Sequence, residues 1–288
     1  MFKQILLPIS SEFYRADVLE RVAFLAQKFG SIVTLLYIIE EKTLQQADKR
    51  SDAFRTCYDR NTTKEGTIET YKRTADSIIF QEARRFFKKT NTPFEEKIAQ
   101  GEFSTVINQE ITSKPYDLLL MGFEKACVLN YRLMDELPVD IPLWAVSNVQ
   151  GNDAILAVCS NLAPNQKVPE VSLALAKAFG WKLQLLYVVD TKDAVEVDTA
   201  FGRSAKKSAQ ELRAKGVLFV EEMEKQGIDV KLVTGGLEKE MMDAADALEA
   251  KLIIIGRQQK KKGTLGLPVK KLKKKLAEKC RHSILFVN

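Results

Sequence analysis

The residues best placed to do chemistry stand near the end of the chain, from Lys251 to Val287. Leu252-Ile253-Ile254-Ile255 is an apolar run of buried-strand type that ends in Gly256. A loop rich in glycine and lysine follows, Arg257 to Pro268, then a lysine-rich segment, then a short strand, Ile284 to Val287. Strand, glycine loop and helix is the order in which α/β proteins build phosphate sites, because backbone N–H groups and a helix N-terminus then face the anion. Gly256, Gly263 and Gly266 supply backbone without a Cβ, and Lys260, Lys261 and Lys262 supply charge. The chemistry this suggests is anion binding; the alternative is a solvated connection. Between Arg257 and Arg281 eleven Lys or Arg stand against one Glu, a net +10 in a chain whose total is +6, so the basicity belongs to this segment. From Val269 to Arg281 the stripe Val269, Leu272, Leu276, Cys280 has spacings of 3, 4 and 4, which describes a helix with one buried side and its lysines in water. The alternative is a basic amphipathic surface for acidic lipid or nucleic acid. No aromatics interleave with the lysines, so bases have no platform to stack on.

Other chemistries are poorly supplied. Cys57, Cys127, Cys159 and Cys280 form no C-x-x-C, which argues against a structural zinc site or a thioredoxin-like motif. Scattered single cysteines fit a reducing cytosol. His282 is the only histidine, which removes most metal-hydrolase readings and makes a Ser-His-Asp triad a poor choice. No catalytic residue and no metal ligand is assigned. Gly235-Gly236, ahead of a helix starting near Lys239, faces a ligand or makes a tight turn. Trp144 and Trp181 read as packing residues. No apolar run approaches ~20 residues and no basic segment with a long apolar stretch opens the chain, so neither a membrane span nor a secretory signal is expected.

The elements that must position these residues come in two sets. Ala26 to Glu40, AQKFGSIVTLLYIIE, lies 150 residues before Ala176 to Asp190, AKAFGWKLQLLYVVD. DLLLMG (Asp117 to Gly122) matches KLIIIG (Lys251 to Gly256) at 134, and PLWAV (Pro142 to Val146) matches SILFV (Ser283 to Val287) at 141. The chain is therefore expected to be two copies of one domain, 1–149 and 152–288, meeting at the polar turn Gln150-Gly151-Asn152-Asp153. Each copy alternates apolar strand runs with amphipathic helices, which means a parallel sheet covered on both faces. Helices are expected over Asp17 to Phe29, Glu65 to Thr90, Thr105 to Thr112, Pro169 to Phe179, Ala205 to Lys225 and Lys239 to Ala250. Glu41 to Lys64 is polar and reads as a loop. Such sheets bind ligands beyond the carboxyl ends of their strands, where the strand order reverses.

The opening ILLPIS, the second strand LLYIIE, a Gly before a short helix, and the fourth strand DLLLMG resemble the universal stress protein family. The resemblance covers nearly the full length of both copies. It implies two tandem flavodoxin-like, Rossmann-like α/β domains, each with four helices and a five-stranded parallel sheet of order 3-2-1-4-5. Many members bind ATP and others do not. In binding members an Asp follows the first strand, and Gly-x2-Gly-x9-Gly-Ser/Thr follows the fourth. Here the Asp positions read Ser10 and Ser160. Gly122 is followed by Lys125 and then by Asp135 and Glu136, two carboxylates that would repel a triphosphate. Gly256 is followed by Gln259, then Val269 and Lys270. Carried over to this chain, the candidate contacts to a nucleotide or other anion are Ser160, Val188, Gly235, Gly256, Gly263, Gly266 and Lys270.

The resulting expectation is a cytoplasmic stress-response protein that acts by binding rather than catalysis. Its first half should bind no ATP, and its second half should bind it weakly or not at all. The alternative is an ATP- or AMP-binding protein using the loop 256–270, with slow hydrolysis. The two halves are expected to pair within the chain through their last strands, Leu143 to Val146 and Ile284 to Val287, since an unpaired apolar edge invites aggregation. A homo-oligomer and an anionic ligand at the lysine-rich segment 257–281 are further expected partners.

Overall fold

In the computed structural model the residues described are 1–10, 16–40, 66, 70, 74, 78, 81–122, 141–147, 151–163, 165–192, 195–198, 203–257 and 281–287. By their contacts they fall into two units, Met1–Gly122 and Phe123–Asn288.

The first unit opens with β1 (Gln4–Ile9), an apolar strand buried almost throughout. Helix α1 (Ala16–Phe29) buries Val18, Val22 and Leu25 at helical spacing, has Asp17 in its first turn and Lys28 in its last, and stops at Gly30, whose φ is +61°. Then come β2 (Ile32–Glu40), α2 (Gln81–Lys89), β3 (Phe94–Gly101), α3 (Phe103–Ser113) and β4 (Leu118–Gly122). The sheet runs β3-β2-β1-β4 with every pair parallel. Its outer strand β3 is only half buried and heavily charged, and Arg84 and Lys114 pair with its Glu96 and Glu95. Charges of this kind keep an edge strand from pairing with a stranger.

The second unit contains β5 (Leu143–Val146), β6 (Asn152–Ser160), α4 (Val168–Phe179), β7 (Lys182–Val189), β8 (Val195–Asp198), β9 (Arg203–Lys206), α5 (Ala209–Lys225), β10 (Val230–Thr234), α6 (Leu237–Leu248), β11 (Ala250–Gly256) and β12 (Ser283–Val287). Its sheet runs β10-β7-β6-β11-β12-β5. The first five of these are parallel and have the order 3-2-1-4-5 in chain sequence. β5 joins β12 antiparallel, with Trp144 opposite Leu285. The expected pairing of the two last strands is therefore present, and contacts place β5 with the second unit. Trp144 is fully buried, with its ring 6.4 Å from that of Phe179. Ser147 continues the tie, its N–H donating to Ser283 Oγ at 3.0 Å.

Several boundaries differ from the expectation. α5 starts at Ala209 rather than Ala205, because Ser208 and Glu211 form a capping box and 203–206 pair as β9 with β8 in a hairpin that the apolar pattern did not reveal. α6 starts at Leu237 and stops at Leu248, since Glu249 turns left-handed (φ +48°) and Ala250 already belongs to β11. In the middle of α5, Gly216 lets the helix lie close to the sheet: a Cβ there would come within 2.9 Å of Leu232, 3.0 Å of Val189 and 3.1 Å of Tyr187. The expectations on Glu41 to Lys64 and on the lysine-rich helix fall outside the described residues, as does most of the helix expected before Gln81.

Candidate functional site

The carboxyl ends of β6, β7, β10 and β11 bring four of the seven candidate residues to one end of the second sheet. Ser160 and Val188 are in register on neighbouring strands, and Val188 is in register with Val233 on the next. Gly235 follows β10, and its N–H donates to Val189 O at 3.1 Å. Gly256 ends β11 in register with Val287. Gly263, Gly266 and Lys270 lie outside the described residues, as do Lys125, Asp135, Glu136, Gln259, Val269 and Lys260 to Lys262.

Polar groups at this end are buried and engaged with one another. Ser160 is fully buried. Its N–H donates to Asn165 Oδ1 and its carbonyl accepts from Asn165 Nδ2, both at 2.9 Å, while its Oγ accepts from Leu162 N at 3.1 Å. Asn161 bridges to the next strand with both ends of its amide: Nδ2 donates to Asp190 O at 3.0 Å, and Asp190 N donates to Oδ1 at 2.7 Å. The Asp190 carboxylate is only 5% exposed; one oxygen accepts from Lys192 N at 2.9 Å and the other from Leu237 N at 2.8 Å. Leu237 is the first residue of α6, and its N-cap Gly236 has no side chain to offer. A carboxylate from the end of β7 thus takes the place that an anion takes at a helix N-terminus. A side chain at Gly235 would run into Glu240. Arg257, the first residue of the basic segment, is 3% exposed, and its N–H donates to Val287 O.

The first unit closes the matching position differently. Its β3 is followed by Glu102, the N-cap of α3, whose carboxylate accepts from Thr105 N at 2.8 Å and from Ser104 Oγ at 2.6 Å. Burial raises this carboxyl, but the Ser104 and Thr105 hydrogen bonds outweigh it and bring it down to about 2. In both units a carboxylate of the chain serves the helix that follows the third parallel strand.

Two described groups near the second site are pushed away from neutral titration. Burial pushes the Cys159 thiol far up. Burial, then the nearby Cys159 and Glu196, push the Tyr187 hydroxyl up to about 12. His282 stands at the opposite end of the sheet, Nδ1 2.6 Å from the Ala250 carbonyl and Nε2 2.8 Å from the Asp246 carboxylate. Among the described residues no group of three His, Cys, Asp or Glu gathers to hold a metal, and no helix is long and apolar enough to cross a membrane. Asn161, Asn165 and Asp190 are not among the residues expected from the sequence. Asp190 had a visible signal: it closes the apolar run of β7 where Glu40 closes that of β2, at the same spacing of 150.

A doubly wound α/β protein with its polar residues gathered at the carboxyl ends of a 3-2-1-4-5 sheet is the class these observations define. The sequence model of the universal stress protein family matches residues 1–130 and again 151–288, and the chain belongs to that family as a tandem member. Among solved structures, a universal stress protein from Archaeoglobus fulgidus has a TM-score of 0.65 at 14% identity, covering 99% of this chain and 98% of its own. A putative universal stress protein from Pseudomonas aeruginosa has a TM-score of 0.66 at 12% identity, covering 99% of this chain and 93% of its own. At such identities the likeness speaks to the fold alone. No curated protein matches the chain.

Proposed function

We propose that this universal stress protein works in the cytoplasm by binding rather than by catalysis, and that neither half holds ATP in the geometry usual for binding members. The observation that carries this reading is Asp190: its carboxylate sits on the N-terminus of α6, where it repels phosphate, and Asn161 holds its backbone from the adjacent strand. The N–H groups of Ser160 and Gly235 are engaged within the fold as well, so the two strand ends offer a nucleotide few donors. The antiparallel ladder between β5, from the first repeat, and β12, from the second, supports pairing of the repeats within one chain.

A second reading keeps ATP or AMP in the second half, through Gly256 and the glycines and lysines beyond it, with slow hydrolysis. Two buried residues favour it, Gly256 and Arg257, which put bare backbone and a cation at the end of β11. Calorimetric titration with ATP near physiological salt distinguishes the readings. The first expects no saturable binding and no release of phosphate over the uncatalysed rate. A micromolar Kd, about −8 kcal/mol, that is lost on Gly256→Val would establish the second instead. Weak binding that vanishes with added salt would assign the affinity to the lysines, as a general anion surface.

A further inference from the structure

The helix that follows the second parallel strand carries opposite charge in the two repeats. α2 and α5 each run out into a residue of positive φ, Asn91 (+51°) and Gly227 (+75°). Aligned on that mark, the buried Phe87 falls on the buried Met223, Arg85 on Glu221 and Lys88 on Glu224, while Lys89 meets a residue of its own charge, Lys225. On α2 the exposed side chains Arg85, Lys88 and Lys89 sit at i, i+3 and i+4 on one face, with Lys28 exposed at the end of α1. The ends of α1 and α2 are tied by Gln27 Nε2 donating to Thr90 O at 3.0 Å. Arg84 is neutralised by Glu96, but among the described residues no ion pair or hydrogen bond engages the side chain of Arg85, Lys88 or Lys89. On α5 the exposed carboxylates of Glu221, Glu222 and Glu224 have no such partner either among the described residues. One turn earlier on that helix lie Leu218, 62% exposed, and Val217, 40% exposed.

Each arrangement carries a repulsive contribution in an isolated molecule, offset in part on α5 by Lys225, four residues after Glu221. Like charges three and four residues apart repel one another. The α2 cations lie at the helix end where the macrodipole favours them, but the α5 carboxylates lie at the end where it opposes them. A large exposed leucine rimmed by carboxylates adds apolar surface left in water. Charges that weaken the helix carrying them mark a site with a use elsewhere.

We propose that the basic face of α2 (Arg85, Lys88, Lys89) is a docking surface for the acidic face of α5 (Leu218, Glu221, Glu224) on a second copy of this chain. The charges are complementary, Arg85 and Lys88 stand at the positions that Glu221 and Glu224 occupy on the equivalent helix, and the half-buried Phe86 lies beside the basic face to meet Leu218. Contact of this kind is steered by charge and weakens as salt screens it.

The test is sedimentation equilibrium of the full chain, over protein concentrations up to about 100-fold apart, at low and high salt. The wild type is expected to self-associate at low salt and to bind roughly tenfold or more weakly upon raising salt from about one-tenth to one-half molar, where the screening length shortens about twofold. Arg85→Glu with Lys88→Glu, and separately Glu221→Lys with Glu224→Lys, should each leave a monomer. Mixing the two reversed proteins should restore association, because each then offers the other an opposite face; this also proves that both variants are folded. A wild type that is monomeric throughout overturns the proposal. Association that survives either reversal, or a mixture of the reversed proteins that stays monomeric, overturns it as well. Capture of polyglutamate by the α2 face without self-association would assign that face to a foreign acidic partner.

Discussion

Asp190 and Glu102 show how far a single carboxylate can set local structure. Asp190→Ala would leave the buried N–H of Leu237 and the partly buried N–H of Lys192 without their acceptor, an expected loss of about 1–3 kcal/mol in urea unfolding. Asp190→Asn keeps an oxygen for one of them and should lose less. Glu102 predicts a pH dependence. Its folded-state value, about 2, lies below the ordinary 4.5, so the group stabilises the fold fully above 4.5, and that contribution is lost as pH falls toward 2. Unfolding measured between pH 2 and 6 should therefore flatten in Glu102→Gln relative to the wild type; identical slopes would mean that the cap contributes nothing. The engagement of Asp190 was hidden in the sequence for a physical reason. Its partners Asn161 and Leu237 lie 29 and 47 residues away, and no local pattern links them. The strand ends near Ser160, Val188, Gly235 and Gly256 were legible because they are marked by the change from apolar to polar or glycine residues; the choice of these four as contacts came from the family resemblance.

At the scale of elements, the parallel strands and the positions of the described helices followed from periodicity and from the repeat. Gly30 and Gly180, at the same spacing of 150, both take left-handed φ and stop equivalent helices. The β8–β9 hairpin did not show itself, since VEVD and RSAK are short and half charged and pair only with each other. Gly216 was equally silent, because its purpose is an approach of α5 to β7 and β10 rather than a turn. Gly216→Val is expected to cost about 1–3 kcal/mol through crowding against Val189 and Tyr187, despite the gain in helix propensity over glycine. Gly227→Ala tests the opposite situation: open space surrounds that position, but φ is +75°, so any loss there comes from backbone strain alone. Thermal unfolding of the two variants side by side separates crowding from strain.

For the whole molecule, the tandem arrangement was visible in the repeat, and the pairing of β5 with β12 followed from two apolar strands that each needed a neighbour. Trp144 is the residue to probe. Trp144→Ala should cost about 3–5 kcal/mol, as expected for an emptied aromatic site in a core, and Trp181→Phe should leave a single, blue-shifted emission from the buried Trp144 that moves to the red on unfolding. A chain beginning at Gly151 lacks β5 and bares the edge of β12 and the flank of Phe179, so it should be less stable and more prone to associate than one beginning at Ile141. Synthesis imposes the same separation on every new molecule. β5 leaves the ribosome about 140 residues before β12 is complete, so at roughly 5–20 residues per second the edge destined for β12 waits about 7–30 s for its partner. During that interval Leu143 and Trp144 are a target for whatever meets nascent chains first, which makes the yield of correctly paired protein a matter of translation speed and of chaperones as well as of its final free energy.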